Sequence, residues 1–164
     1  ILNTVHGYTA SQALVDGPSK KDLREGRAAA QNIVPSSTGA AIAVTKAFTK
    51  LKGLFDGIAI RVPVPAGSIV DITFISKKNT TAGEVNEILS KAAQDKRWEN
   101  LFSITNEELV SSDILGSHYG CIADLKMTRV VGGNLVKVLG WYDNEMGYAY
   151  TLVDHVIKTA LTIK

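Results

Sequence analysis

The feature that most constrains the fold of this chain is a pair of long β-type segments separated by a short turn. The segments Cys121–Val131 and Leu135–Tyr142 are rich in β-branched and aromatic residues, which favour strands. Between them lie Gly132, Gly133 and Asn134, residue types that accept the positive φ angles of tight hairpins. We therefore predict an antiparallel hairpin, and with it a sheet that contains antiparallel neighbours.

Along the rest of the chain, some segments have the residue pattern of strands and others have that of helices. Alternating or β-branched patterns predict further strands at 1–5, 57–62, 68–75, 101–104 and 109–110. Apolar residues recurring at helical spacing predict helices at 38–51, from the capping box at 81–84 to about 94, and at 145–161. The expected fold class is α+β, a largely antiparallel mixed sheet covered on one face by helices, in one domain over residues 1–164.

The composition excludes several classes of partner and site. With 18 Lys and Arg against 16 Asp and Glu, the net charge is +2, and no run of like charge indicates nucleic acid or a membrane as a partner. The single cysteine, Cys121, excludes an internal disulfide and a CxxC metal site, so we expect no metal and favour a reducing compartment, by default the cytoplasm. Because Ile1 opens a strand pattern without a polar lead-in, we also expect this chain to be a fragment.

The segment Gln31–Ala41 has the composition of an anion site built from backbone groups. Pro35 is expected to stop the preceding segment. The hydroxyl residues 36–38 then lie at a predicted helix N-cap, and Gly39 lets a ligand approach the backbone closely. Free N–H groups and the helix dipole at such a start attract oxyanions. An ordinary capped helix is the alternative interpretation.

Three further side chains stand at positions suited to a functional site. His6 follows a strand pattern and opens the long aperiodic segment 6–32, where an imidazole can face a cleft. Arg61 ends a strand before a proline-rich turn and can present its guanidinium to a phosphate. Asn144 joins the last strand to the last helix, either as a helix cap or as an amide that reads a ligand. The alternatives for His6 and Arg61 are a structural histidine and a surface arginine.

Cys121 is a poor candidate for a nucleophile. A Cys–His pair requires a thiolate that is stabilised by positive charge and lies within hydrogen-bond reach of the base. Cys121 instead begins an alternating strand pattern, with Ala123, Leu125 and Met127 on its side. This pattern is typical of an inert, buried thiol.

Six motifs resemble the phosphorylating glyceraldehyde-3-phosphate dehydrogenases, in the order in which that family carries them. The motifs are TVHGYTASQ at 4–12, VDGPS at 15–19, KDLREGR at 21–27, NIVPSSTGAA at 32–41, RVPVP at 61–65 and WYDNEMGY at 141–148. Together they span nearly the whole chain. The resemblance implies an NAD-dependent enzyme of glycolysis that oxidises glyceraldehyde 3-phosphate and captures the acyl group with inorganic phosphate.

The resemblance also implies roles for individual residues in catalysis and phosphate binding. His6 is similar to the family's histidine, which activates the catalytic thiol and then acts as acid and base. Thr9 and Arg61 match ligands of the substrate phosphate. Thr38 and Gly39, with Arg61 between the two pockets, match the inorganic phosphate site. This last assignment agrees with the anion site predicted from the residues alone.

Further residues match the family's cofactor site and subunit contacts. Asn144 matches the residue that bonds the nicotinamide carboxamide, and Tyr148 matches an aromatic residue beside that ring. The segment Tyr8–Asn32 resembles the family's S-shaped loop, which lines a neighbouring subunit's cofactor site in a homotetramer. Asp16–Pro18 within it resembles the members that use NAD rather than NADPH.

The departures from the family pattern are as informative as the matches. The family's nucleophile lies in a Ser-Cys-Thr-Thr-Asn-Cys motif and its dinucleotide site carries GxGxxG, and this sequence has neither. The chain thus resembles the catalytic domain without its opening segment and without the NAD-binding domain, and we expect it to be inactive alone. Two alternatives stay open: a sister dehydrogenase acting on erythrose 4-phosphate, and a non-catalytic anion-binding or assembly domain if Ile1 is the natural start.

Overall fold

A computed structural model describes residues 1–163 of the chain. Its strands are β1 (Leu2–Gly7), β2 (Val34–Ser37), β3 (Gly57–Val62), β4 (Ser68–Ile75), β5 (Phe102–Thr105), β6 (Cys121–Val131) and β7 (Leu135–Tyr142). Its helices are α1 (Ala40–Ala47), α2 (Ala82–Gln94) and α3 (Met146–Ala160), joined by loops that include short 3₁₀ turns. The fold class is α+β, as predicted.

The strands form one mixed sheet of seven strands in the order β2-β3-β1-β4-β7-β6-β5. The pairs β1–β3 and β5–β6 are parallel, and the other neighbours are antiparallel. The sheet is therefore largely antiparallel, which confirms the prediction. Its buried apolar side chains include Leu2, Val34, Ala59, Ala123 and Val136, which lie on neighbouring strands across the sheet.

The predicted hairpin is present and joins β6 to β7 in antiparallel register. Gly132 and Gly133 adopt φ angles of 60° and 80°, the left-handed region that glycine enters without steric cost. The pairing is interrupted by a bulge between Asp124 and Arg129, and bulges of this kind bend a strand and increase its twist.

The segment 34–37 differs from the sequence prediction. Pro35 does not stop the chain but lies inside β2, at the edge of the sheet, where a proline is tolerated because no further strand needs its missing N–H. Consequently Ser36 belongs to a strand rather than to a helix cap, and α1 begins at Ala40 instead of residue 38. The predicted short strand at 109–110 was also wrong, since those residues lead into a 3₁₀ turn.

The helices differ in how much of their surface the chain covers. The capping box of α2 is formed by Thr81 and Glu84 as predicted, and α2 packs against β5 and β6. The apolar stripe predicted for α3 faces solvent instead, with Leu152, Val153 and Val156 each about half exposed. No helix within residues 1–163 is long and apolar enough to cross a lipid bilayer.

Candidate anion-binding site

His6 and Arg61 are paired residues on the adjacent parallel strands β1 and β3. Residues paired in this way project to the same face of a sheet, so the imidazole and the guanidinium share one face. Thr4, two residues before His6, pairs with Ala59 and with Val70 and lies on that face as well. The strand register therefore assembles this part of the site.

The hydrogen bonds of His6 define its tautomer. Nδ1 lies 2.6 Å from the carbonyl oxygen of Gly7, and because a carbonyl only accepts, the proton of the neutral ring is on Nδ1. The lone pair of Nε2 is then free to accept a proton. Burial lowers the pKa of His6, the bond to Gly7 opposes that shift, and the charge of Arg61 lowers the pKa further. The imidazole is thus kept neutral and basic at one nitrogen.

Arg61 carries unused hydrogen-bond donors. Its Nε and Nη1 atoms are buried and have no partner among residues 1–163, although buried donors are nearly always paired. Burial lowers the pKa of Arg61, and the neighbouring Tyr142 and Glu25 offset part of that effect. A guanidinium with free donors matches the geometry of a phosphate or carboxylate. The arrangement indicates an anion site.

A cavity of about 380 Å³ lies against these side chains. It is lined by Leu2, Thr4, His6, Thr38, Ala40, Arg61, Val70, Gly120, Cys121 and Tyr142. The Thr38 hydroxyl oxygen accepts from the Ala40 N–H at 3.2 Å, which leaves its proton to donate to a ligand. Gly39 is the N-cap of α1, and a Cβ there would meet no atom of residues 1–163 within 4 Å, so these residues leave the space beside the helix start open.

Tyr142 contacts His6 and bonds to Thr4, and neither Tyr142 nor Thr4 was identified from the sequence as a site residue. The Tyr142 ring meets the His6 ring edge-on, with centroids 5.9 Å apart. Its hydroxyl lies 2.7 Å from the Thr4 hydroxyl, which in turn donates to the Ile69 carbonyl. Burial raises the pKa of Tyr142, so it remains a neutral phenol. Tyr142 and Thr4 had no distinguishing signal in the sequence, since both read as ordinary strand residues.

The residues assigned to the cofactor lie outside the cavity lining. Asn144 does not cap α3, because Asp143 accepts from the Glu145 and Met146 N–H groups at 2.8 and 3.0 Å. The Asn144 Oδ1 atom instead accepts from the Gly67 N–H and the Ser68 hydroxyl, both at 3.1 Å. Tyr148 lies on α3 with 67% of its surface exposed.

Thr9 also lies outside the cavity lining, in the turn that follows β1. Its N–H and its hydroxyl donate to the Gln12 side-chain oxygen at 2.8 and 3.1 Å, and its hydroxyl lies 3.1 Å from that of Ser11. The nearby Arg24 and Arg27 pair with Asp22 and Asp16 at the surface. Of the predicted site residues, the structure brings His6, Thr38 and Arg61 to one cavity.

Cys121 lines the same cavity but is not activated. Burial raises the pKa of its thiol to about 11, so the thiolate that acts as a nucleophile is scarce near neutral pH. This pKa agrees with the prediction of an inert thiol. Within residues 1–163, no cluster of His, Cys, Asp or Glu side chains could hold a metal ion.

The fold and site define an α+β domain that offers a half-buried guanidinium and a neutral imidazole to an anionic ligand. The family model described as "Glyceraldehyde 3-phosphate dehydrogenase, C-terminal domain" matches residues 1–144. The chain belongs to that family.

Full-length relatives support the same assignment. The glyceraldehyde-3-phosphate dehydrogenases of Streptomyces coelicolor and Haloarcula vallismortis are each 47% identical to the chain, over 154 and 153 residues. That of Neurospora crassa is 46% identical over 154 residues. These alignments cover 93–94% of this chain but only 45–46% of each relative. The chain therefore spans about half the length of the curated relatives that it matches.

Proposed function

We propose that this chain is the catalytic-domain part of an NAD-dependent enzyme that oxidises glyceraldehyde 3-phosphate to 1,3-bisphosphoglycerate with inorganic phosphate. The observation that carries the proposal is a pair of buried Arg61 nitrogens that have no partner in the described part of the chain, residues 1–163. They lie beside a cavity that Thr38 and His6 also line. An arginine fork and a threonine hydroxyl suit a phosphate group, and the imidazole adds a base next to it. A substrate that is both a phosphate ester and an aldehyde uses both features.

In this proposal His6 moves protons at Nε2. With Nδ1 held by the Gly7 carbonyl, Nε2 accepts a proton from a thiol and returns it to the aldehyde oxygen as the sulfur adds to the carbonyl carbon. Nε2 then accepts the proton again from the resulting hydroxyl as hydride leaves the substrate. The lowered pKa of His6 suits this work, because the ring is already unprotonated near neutral pH. Arg61 beside it disfavours the imidazolium until an anion neutralises the guanidinium.

The phosphate groups would be held by two sets of residues. Thr38, Gly39 and Arg61 form the site for inorganic phosphate, at the open start of α1. Thr9 and Arg61 bind the phosphate of the substrate. Because the Thr9 hydroxyl bonds to Gln12 and Ser11 here, that contact requires its side chain to rotate away from Gln12.

The residues also fit the nicotinamide end of NAD, the hydride acceptor when it is bound. With Oδ1 of Asn144 occupied by Gly67 and Ser68, its amide N–H groups are left to donate to a carboxamide oxygen. Tyr148 is exposed at the start of α3 and offers an aromatic surface beside that ring. The rest of the dinucleotide site would come from an NAD-binding domain, and the nucleophilic thiol from the opening segment of the catalytic domain.

The quaternary structure and location follow as part of the same proposal. The complete protein would be a cytoplasmic homotetramer, in which the loop 8–32 lines the cofactor site of a neighbouring subunit. The single cysteine is consistent with a reducing compartment. The 164-residue chain would be inactive alone, because burial holds the pKa of Cys121, its one thiol, at about 11.

Binding of inorganic phosphate to the chain tests the anion site. We expect phosphate to shift the imidazole resonances of His6 saturably, and we expect the double variant Thr38→Ala with Arg61→Ala to abolish that shift. Arg97→Ala removes an exposed arginine that lies over Trp98 instead, and it should leave the titration unchanged. A double variant that binds as well as the wild-type chain would refute the assignment. Assays of NADH formation should give no rate above that of His6→Ala.

A further inference from the structure

Ser68 occupies a junction between three parts of the candidate site. It begins β4, is 2% exposed, and is the strand partner of Tyr142. Its hydroxyl oxygen lies 3.1 Å from Oδ1 of Asn144 and 3.4 Å from the backbone nitrogen of Gly7. Gly7 ends the strand that carries His6. The buried hydroxyl of Ser68 thus connects the side chain of Asn144, which we propose binds the cofactor, with the strand that carries His6.

The direction of each hydrogen bond follows from the groups involved. The backbone N–H of Gly7 can only donate, so the Ser68 oxygen accepts from it. The single hydroxyl proton of Ser68 is then directed to Asn144, whose facing atom also receives the Gly67 N–H at 3.1 Å. Two donors fix that facing atom as the oxygen of the amide. The Asn144 nitrogen is therefore turned away from the junction.

The same junction reaches His6 through Gly7. The Gly7 carbonyl accepts from Nδ1 of His6 at 2.6 Å, while its N–H is held by Ser68. Gly7 is itself buried and packed so closely that a Cβ there would lie 2.6 Å from the Val64 carbonyl. Without the Ser68 hydroxyl, the Gly7 N–H would be buried without a partner, a costly state that a shift of the segment relieves. Such a shift moves the carbonyl that selects the tautomer of His6.

We propose that Ser68 is a positioning residue that sets, through one hydroxyl, both the Nδ1-protonated tautomer of His6 and the outward orientation of the Asn144 amide. Its importance for catalysis rests on the proposed function, since only then do Nε2 of His6 and the Asn144 nitrogen face reactants. The geometry of the junction itself does not depend on any ligand.

The tautomer of His6 tests the role of Ser68 directly. Carbon-13 and nitrogen-15 shifts of the imidazole, measured on the chain without phosphate above the pKa of His6, distinguish the two neutral forms. We expect the wild-type chain to be Nδ1-protonated. In Ser68→Ala we expect the ratio of the Nδ1- to the Nε2-protonated form to fall about fivefold, the effect of losing one net hydrogen bond. Ser68→Thr keeps the hydroxyl and should restore the wild-type ratio.

Two controls separate positioning from loss of stability. Ser90→Ala removes a hydroxyl that bonds to the Asn86 carbonyl within α2 and should leave the His6 ratio unchanged. An unchanged ratio in folded Ser68→Ala would overturn the proposal. If alanine prevents folding, the wild-type chain still decides, because an Nε2-protonated His6 or a rapidly exchanging Gly7 amide would overturn it. Failure of phosphate to bind would overturn the proposed function and leave this result intact.

Discussion

His6 and Arg61 are register partners on adjacent parallel strands, and their side chains line one cavity. This relationship places a positive charge beside an imidazole that is already partly withdrawn from water. Both effects lower the pKa of His6, so the ring is held in the form that can accept a proton. An anion bound beside both side chains neutralises the guanidinium of Arg61. It thereby also cancels the lowering of the His6 pKa that the charge of Arg61 causes.

Replacing Arg61 should raise the pKa of His6. In Arg61→Gln the positive charge is removed, and its contribution to the lowered pKa of His6 disappears. The measurement is a proton NMR titration of the His6 ring in the chain, with Arg97→Gln as a control that removes an exposed charge elsewhere. We expect an upward shift, because the positive charge that disfavours the imidazolium is gone while the burial of the ring remains. A pKa that stays the same or falls would show that Arg61 does not act on the ring.

The strands were the most predictable part of the fold. The predicted bounds 57–62, 68–75, 121–131 and 135–142 match β3, β4, β6 and β7, because alternating and β-branched residues are a strong local signal. Strand β2 was missed, since a proline is compatible with a strand only at a sheet edge and the edge is defined by the order of all the strands. The apolar stripe of α3 was read correctly as a pattern, but a pattern does not reveal whether anything covers it.

Within the site, single residues were more predictable than the contacts between them. His6 and Arg61 were identified because each stands at the end of a strand beside a loop, a location where polar side chains are held rigidly. Ser68, Tyr142 and Asp143 were not identified, because their roles arise from cross-strand pairing and from a turn that local sequence does not specify. For the same reason the sequence did not show that Asp143, rather than Asn144, accepts from the N–H groups at the start of α3.

Cys121 should react slowly with alkylating reagents although it lines the cavity. Its pKa of about 11 against an ordinary value of 9.0 reduces the thiolate fraction near neutral pH by about a hundredfold. We therefore expect iodoacetamide to modify the folded chain about a hundredfold more slowly at about pH 8 than the chain unfolded in urea. The folded rate should keep rising with pH up to about 11. A rate that levels off near neutral pH would contradict the inert-thiol assignment and reopen a nucleophilic role for Cys121.

Gly67 should be intolerant of a side chain because of both its backbone angle and its surroundings. Its φ is 85°, and a Cβ there would lie 2.5 Å from the Ser111 carbonyl oxygen. Gly53 is a matched control, since its φ is 77° but a Cβ would meet no atom of residues 1–163 within 4 Å. Alanine at either position pays about 1–2 kcal/mol for the left-handed backbone, and only Gly67→Ala adds a steric cost of about 1–3 kcal/mol.

The comparison of these two variants also reports on Asn144, because the Gly67 N–H donates to its side-chain oxygen. Urea unfolding should give Gly67→Ala the lower free energy of unfolding, by the steric cost alone. The side-chain amide resonances of Asn144 should shift in folded Gly67→Ala and remain in place in Gly53→Ala. Equal destabilisation by the two substitutions would show that the turn before β4 accommodates a side chain without steric cost. The Gly67 N–H would then not hold the Asn144 amide in a fixed orientation.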